Sequence, residues 1–143
     1  MPIFMEYGSL KGSAKADGHF GWMELDSCQF RPQGAIEGAV NEIVCTREMD
    51  GLSPTLHKEA VTGKPVTVTI HFTKIAKGFP VYLSVKLTAT LIGSYSMSNT
   101  GDKPTETLSL TFGKIDFTYK LVKDDSDYYT RKPVREKVPE RSW

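Results

Sequence analysis

The chain has 143 residues and a formal net charge of +1, and 39% of its residues are hydrophobic and 24% charged. These values are typical of one soluble globular domain. A net charge this small gives no argument for binding to nucleic acids or membrane surfaces by electrostatics alone. No apolar run approaches the roughly 20 residues that a membrane span needs. The start of the chain lacks a basic region followed by a long apolar one, so we expect no secretory signal peptide.

The two cysteines lie in apolar-patterned stretches, which favours buried free thiols over a disulfide framework. A symmetric hairpin of residues 22–30 and 40–48, turning through residues 32–39, would place Cys28 opposite Cys45. In such a hairpin the two thiols could be cross-strand neighbours without being bonded.

Alternation with a period of two dominates the middle of the chain. Residues 66–73 and 81–91 each alternate apolar with polar side chains, and residues 77–80 between them are typical of a turn. This pattern predicts an antiparallel hairpin of two half-buried strands. The polar side of the first strand either lies under a helix or faces outside; it consists of Thr67, Thr69, His71 and Thr73.

The apolar parity changes twice within stretches that otherwise resemble single strands. Residues 108–112 are apolar at even positions and residues 115–119 at odd positions, with Gly113 at the change. A similar change separates residues 23–25 from residues 28–30. We interpret each change as a β-bulge, which bends and twists a strand. The predicted fold is therefore all-β, with one short helix, and is a closed antiparallel β-barrel or tight sandwich with bulged strands.

One helix is predicted between the strands. Ser53 is a suitable N-cap, Pro54 then occupies the first helical position, and Gly63 can end the helix in the left-handed conformation. Leu56 and Ala60 share one face, which we expect to pack on the barrel.

The domain prediction places a barrel in residues 1–122 and a charged C-terminal tail or arm in residues 123–143. The last stretch mixes charges of both signs, contains two prolines and shows no apolar period, which favours a mobile tail. An ordered arm that docks on a neighbouring subunit remains open because the stretch contains Tyr128, Tyr129 and Trp143.

No motif in the sequence favours catalysis. His19, His57 and His71 have no metal-ligand spacing among themselves or with the cysteines, so packed or surface histidines are expected. Residues 62–64 (TGK) lack the upstream glycine and the following hydroxyl residue of a phosphate-binding loop. We therefore expect no catalytic residue, no metal and no cofactor, and predict that the protein is not an enzyme.

Four segments together resemble the haemolysin-coregulated protein (Hcp) family of type VI secretion systems. They are residues 10–13 (LKGS, without the usual Glu), 18–30 (GHFGWMELDSCQF), 46–64 (containing DGLSP and AVTGK) and 106–115 (ETLSLTFGKI). The resemblance runs from about residue 1 to 121 and does not include the tail.

The resemblance implies an inner-tube subunit that forms hexameric rings. Rings of this family stack into a tube inside a contractile sheath, and the tube is expelled from the cell with small effector proteins in its lumen. The implied partners are further copies of the chain, the sheath and spike proteins, and effectors, with no nucleic acid and no membrane. The implied localisation is cytoplasmic during assembly, followed by secretion without a signal peptide.

Two sets of residues are candidates for these roles. Ser27 and Gln29 alternate with apolar neighbours and are candidates for the lumen wall, although an ordinary solvated outer face explains them equally well. The long loop from Arg31 to Ala39 is a candidate arm between subunits, because loops of this length in compact domains are usually functional; the alternative is a floppy hairpin connection. The contact candidates in this loop are Arg31, Pro32, Gln33, Ile36 and Glu37.

Other functions fit the same pattern. They include a monomeric small-ligand-binding β-barrel, a phage-type tail tube protein, and an enzyme or toxin that acts through its tail. The tail is too short to fold as a catalytic domain. The size in solution discriminates a ring-forming tube subunit from a monomeric ligand-binding barrel, because a ring has about six times the mass of the 15.9 kDa chain.

Overall fold

The computed structural model describes residues 2–16, 18–31, 42–76, 78–99 and 101–121, and the backbone of residues 135–141. Within these residues the protein has nine β-strands and one α-helix. In chain order they are β1 (Ile3–Tyr7), β2 (Met23–Leu25), β3 (Ser27–Arg31), β4 (Glu42–Glu48), α1 (Ser53–Thr62), β5 (Val66–Thr73), β6 (Val81–Ser98), β7 (Thr105–Thr111), β8 (Lys114–Lys120) and β9 (Arg135–Arg141).

All strand pairs are antiparallel, and the hydrogen-bonded order is β2-β1-β5-β6-β7-β4-β3. The first half of the long strand β6 pairs with β5 and β8, and its second half pairs with β7. The two ends of the order, β2 and β3, are consecutive in the chain and separated only by Asp26, whose N–H donates to the carbonyl of Thr46 on β4. The sheet therefore folds back toward its own start around one core.

The inward-facing side chains fill the space enclosed by the sheet. Nine hydrophobic ones are completely inaccessible to solvent and come from five strands and the helix: Met5, Cys45, Leu56, Val68, Ile70, Val85, Leu87, Leu108 and Leu110. Alternation produces this core because every second side chain of a strand points to the same face. The structure confirms the predicted all-β class and the hairpin of β5 and β6. It pairs residues 27–31 with residues 42–46, which places Cys28 opposite Cys45, whereas residues 23–25 pair with β1 and not with β4.

The two parity changes have a cause other than the predicted bulges. β2 pairs with β1 whereas β3 pairs with β4, so the first change marks the point where the chain leaves one part of the sheet for another. β7 and β8 are likewise separate strands, and the register against β6 is the same on both sides of Gly113. The predicted bulge at Gly113 is therefore wrong. The register shift nearest to Gly113 lies on β6 between Leu87 and Thr90, where the Gly113 N–H donates to the Thr88 carbonyl. A further shift on β6 lies between Ile92 and Ser94.

The ends of α1 also differ from the prediction. The helix begins at Ser53 itself, and Leu52 occupies the cap position without a side-chain cap. Ser53 has another role because its Oγ hydrogen-bonds inside the fold, as described below. Gly63 ends the helix in an extended conformation, with φ −66°, and its N–H donates to the Glu59 carbonyl 2.8 Å away. Leu56 is completely buried and Ala60 packs against the core, as predicted.

The predicted tail or arm begins at residue 123. Residues 122–134 and 142–143 lie outside the described residues, and residues 135–141 form β9, which pairs with β8 of the same chain. Among the described residues, the structure contains no helix long and apolar enough to cross a membrane.

Candidate functional site

One outer face of the sheet is built almost entirely of small hydroxyl side chains. The register aligns two rows across β3, β4, β7 and β6, which we call the hydroxyl face. Six of its eight residues are Ser or Thr and none carries a charge. The first row is Gln29, Val44, Ser109 and Ser94, and the second row is Ser27, Thr46, Thr107 and Ser96.

The charges near this face lie along its borders. On one side Arg31 and Glu42 approach to 4.0 Å, and Glu42 also accepts a hydrogen bond from the Ser109 hydroxyl. On the other side Lys103 and Glu48 approach to 3.8 Å. Within the face the hydroxyls of Ser27 and Thr46 hydrogen-bond to each other. The centre of the face is therefore polar and carries no charge.

The reverse side of the same strands carries a buried ionic cluster. Glu106 on β7 is completely buried and accepts hydrogen bonds from Arg47 on β4, from Tyr95 on β6 and, at 3.1 Å, from Ser53 of α1. Burying a carboxylate is costly unless it is paired and hydrogen-bonded, and these three donors meet that requirement. The cluster thus ties the start of the helix to the strands behind the hydroxyl face.

The turn that leads into the helix is held by the same cluster. Arg47 Nη2 lies 2.6 Å from Asp50 Oδ2, and Asp50 Oδ1 accepts the N–H of Leu52 at 2.8 Å. The Asp50 N–H donates in turn to Ser53 Oγ at 3.0 Å. Burial, followed by the hydrogen bond to Glu106, raises the pKa of Tyr95 to about 12, so the phenol stays protonated and keeps donating.

On the outer face of β1 and β5, aromatic side chains from neighbouring loops cover the outward-facing residues. Phe4 is directed outward from β1, yet only 3% of it is exposed, because His19 stacks on it at 4.5 Å and Phe79 meets it edge-on at 6.3 Å. Trp22 contacts His71 of β5 with ring centroids 4.7 Å apart. These five residues form what we call the aromatic cluster, and the loops after β1 and β5 cover the sheet through it.

The two histidines of the aromatic cluster are hydrogen-bonded to each other. His19 Nε2 and His71 Nδ1 are 2.9 Å apart, so one ring donates and the other accepts. Burial, and then the neighbouring His19, lower the pKa of His71 to about 4. His71 is therefore neutral at physiological pH and serves packing. The polar stripe of β5 does not form one surface, because Thr73 is buried and donates to the Pro2 carbonyl at 2.7 Å.

The two free cysteines face each other across β3 and β4. Cys45 is completely buried and Cys28 is partly buried, and their sulfur atoms are 3.8 Å apart. The Cys45 thiol donates to the sulfur of Cys28. This hydrogen bond, together with burial, raises the pKa of the Cys45 thiol well above its usual value.

The residues predicted from the sequence are placed as follows. Ser27 and Gln29 are exposed and belong to the hydroxyl face, and Arg31 lies exposed at its border. Whether this face lines a lumen stays a prediction. The remaining contact candidates, Pro32, Gln33, Ile36 and Glu37, lie outside the described residues.

Sequence reasoning did not find the other members of the hydroxyl face. Thr107 and Ser109 alternate along one strand and Ser94 and Ser96 along another, but this signal becomes a surface only when the register across four strands is known. Within the residues that the structure describes, no group of three or more His, Cys, Asp or Glu side chains is placed to hold a metal ion.

Comparison with known proteins gives a consistent result. Residues 4–119 match the profile of the family described as "Type VI secretion system effector, Hcp". Comparison with curated protein sequences finds no significant match.

Three solved structures show how closely the fold is shared. The Hcp1 structure from Salmonella typhimurium superposes with a TM-score of 0.72 at 24% identity, covering 82% of this chain and 86% of that one. The Hcp1 protein from the E. coli EAEC 042 pathovar gives 0.74 at 20% identity, covering 100% and 98%. The secreted protein Hcp3 from Pseudomonas aeruginosa gives 0.68 at 19% identity, covering 99% of each chain.

Proposed function

The chain belongs to the Hcp family of the type VI secretion system, and from this premise we propose that it forms hexameric rings whose inner wall is the hydroxyl face. The rings stack into the inner tube of the secretion machine, contact its sheath and spike, and hold small effector proteins. The role is structural and requires no catalytic group. Assembly takes place in the cytoplasm, and the tube is then expelled without a signal peptide.

The hydroxyl face is the observation that carries this proposal. A group on the inner wall of a ring is repeated once per subunit around a shared space, so any charge there meets like charges across the lumen. The face has no charge in either row, whereas its borders are charged. Six of its eight side chains are small hydroxyls and only Val44 is apolar, so the face presents no large apolar patch that would bind cargo irreversibly.

The packed interior supports assembly over the storage of a small ligand. Barrels that bind one small molecule keep a cavity inside the sheet. Here the enclosed space is filled by fully buried side chains from strands on all sides, and Leu56 of the helix adds to them. The surface between subunits, rather than the inside of one subunit, is then the place where the function resides. A cyclic interface closes when the rotation between neighbours is a whole fraction of a turn.

Gold labelling viewed by electron microscopy tests the orientation of the subunit. In a background with both natural cysteines replaced by Ser, a Ser96→Cys variant carries one thiol on the hydroxyl face. The matched control is Glu6→Cys, which is exposed on the outer face of β1. We expect annular particles in both cases, with gold inside the hole for the first variant and on the periphery for the second. Gold on the periphery for Ser96→Cys would reject the hydroxyl face as the inner wall.

A further inference from the structure

The paired thiols of Cys28 and Cys45 are the strongest feature that the proposed function leaves unused. The two residues are directly opposite in the antiparallel register of β3 and β4. Opposed residues in such a pair have Cβ atoms about 4.5–5.5 Å apart, and disulfides need Cα atoms within roughly 4.4–6.8 Å. The sulfur atoms are already 3.8 Å apart. A small side-chain rotation, without movement of the strands, brings them to bonding distance.

The two thiols differ in solvent accessibility, and this difference determines which of them reacts first. Cys28 lies on β3, whose only strand partner among the described residues is β4, and its side chain is partly accessible. Cys45 is inaccessible. A dissolved oxidant therefore meets Cys28 first, and Cys45 can react only with a sulfur that Cys28 presents to it.

We propose that Cys28 and Cys45 form an intramolecular disulfide when the protein leaves a reducing compartment for an oxidising one. The oxidant belongs to the class of small-molecule disulfides, such as oxidised glutathione. The timing rests on the proposed function, because only an expelled tube makes this change of compartment. The chemistry of the pair does not depend on it.

The reaction consists of two thiol–disulfide exchanges. The Cys28 thiolate attacks one sulfur of glutathione disulfide, the S–S bond breaks, and one glutathione thiol leaves. Cys45 then loses its proton to water and attacks the Cys28 sulfur of the mixed disulfide, and the second glutathione thiol leaves. In total, two protein thiols are oxidised and one glutathione disulfide is reduced to two thiols. Because burial and its hydrogen bond keep the Cys45 thiol protonated, the second exchange is expected to accelerate as the pH rises.

The disulfide would stabilise β3, the edge strand of the hydroxyl face. β3 contributes Ser27 and Gln29 to that face but hydrogen-bonds to one strand only within the described residues. Edge strands fray more readily than strands paired on both sides. A covalent link at the second residue of β3 fixes its register on β4 and closes the segment between the cysteines, which restricts the unfolded chain.

Treatment of the full-length, natively folded protein with oxidised glutathione tests the proposal. We expect the wild type to lose two hydrogens in its intact mass, to carry no glutathione, and to show two alkylatable thiols only after reduction. Amide hydrogen exchange in β3 should slow on the order of tenfold to a hundredfold in the oxidised form. A stable glutathione adduct on the wild type, a dimer linked between chains, or bond formation only in denaturant would each overturn the proposal.

Three variants make the result specific to the pair. Cys45→Ser should stop at the mixed disulfide and retain one glutathione on Cys28. Cys28→Ser should remain unmodified, since Cys45 is buried. The double variant should show no change in exchange rates with oxidant. The mass of the assembled particle, measured on the same samples, separates the two claims: a bond that forms in a protein that makes no rings would refute the proposed function and leave the thiol chemistry intact.

Discussion

The two outer faces of the sheet differ in how far the subunit's own loops cover their outward-facing side chains. On β1 and β5 the outward-facing Phe4 and His71 are covered by the protein's own loops, through the rings of the aromatic cluster. On the hydroxyl face Ser27, Gln29 and Ser96 remain exposed and no large side chain is present. A face with large apolar groups has to be covered for the protein to stay soluble, whereas a face of small hydroxyls can remain in water. The hydroxyl face can therefore stay in contact with water without a covering loop.

Removal of the central ring of the aromatic cluster should have the largest effect. We expect Phe4→Ala to lower the free energy of unfolding by about 3–5 kcal/mol, because a buried aromatic ring is lost and a cavity remains between the sheet and its loops. Chemical denaturation monitored by tryptophan fluorescence measures the change. The matched control on the hydroxyl face is Val44→Ala, which we expect to cost less than about 1.5 kcal/mol because Val44 is only partly buried. Equal costs at the two sites would remove the contrast between the faces.

The second largest effect on stability is expected for the buried ionic cluster behind the hydroxyl face. Glu106→Gln should destabilise the protein by about 2–3 kcal/mol, because Arg47 loses its buried carboxylate partner and retains only Asp50. Replacement of the exposed Glu48, on the strand next to it, by Gln should cost less than about 0.5 kcal/mol. The same denaturation experiment measures both variants. A Glu106→Gln protein as stable as the wild type would show that the cluster does not hold the helix.

The histidine pair should make the covered face sensitive to acid. The pKa of His71 is lowered from 6.5 to about 4 in the folded protein, so the unfolded chain binds more protons between these values. Its contribution to stability is complete above pH 6.5 and is lost progressively as the pH falls toward 4. Because His71 is partly accessible, we expect a loss of about 1–2 kcal/mol over this range.

Thermal unfolding as a function of pH measures this loss. His71→Gln should flatten the profile in that window, and His57→Gln, on the exposed side of α1, should leave it unchanged. An unaltered profile in His71→Gln would assign the acid sensitivity to other groups.

Substitutions on the hydroxyl face should have the smallest effect on folding. Ser94→Ala and Ser96→Ala are each expected to change stability by less than about 0.5 kcal/mol, because both side chains are exposed. Ser96→Glu should also leave the subunit folded while it lowers the fraction of complete rings, because one new charge per subunit would face the lumen. Native mass spectrometry measures the ring fraction. The control is Thr69→Glu on the other outer face, where rings should persist.

The sequence allowed the fold to be predicted wherever the pattern of a single strand was sufficient. The alternation of residues 66–73 and 81–91 identified one hairpin, and the symmetric spacing of Cys28 and Cys45 gave the correct register of another. β1 was not recognised because its outward Phe4 is as apolar as its inward neighbours, and only the loop that covers it explains this. Alternation alone does not reveal such coverage.

Features that depend on several strands at once were predicted less well. Gly113 was interpreted as a bulge because two separate strands, β7 and β8, meet there with opposite apolar parity, which in the sequence resembles an inserted residue. Ser53 appeared to be a helix cap because its role depends on Glu106, which is 53 positions away. The hydroxyl face was identified only through Ser27 and Gln29, since its other members come together through the register of β4, β7 and β6.

The mass of the purified full-length chain in solution tests the central claim most directly. Light scattering coupled to size exclusion should give a particle of about six times 15.9 kDa, persisting on dilution as expected for a closed ring. A particle of 15.9 kDa at high protein concentration would contradict the account.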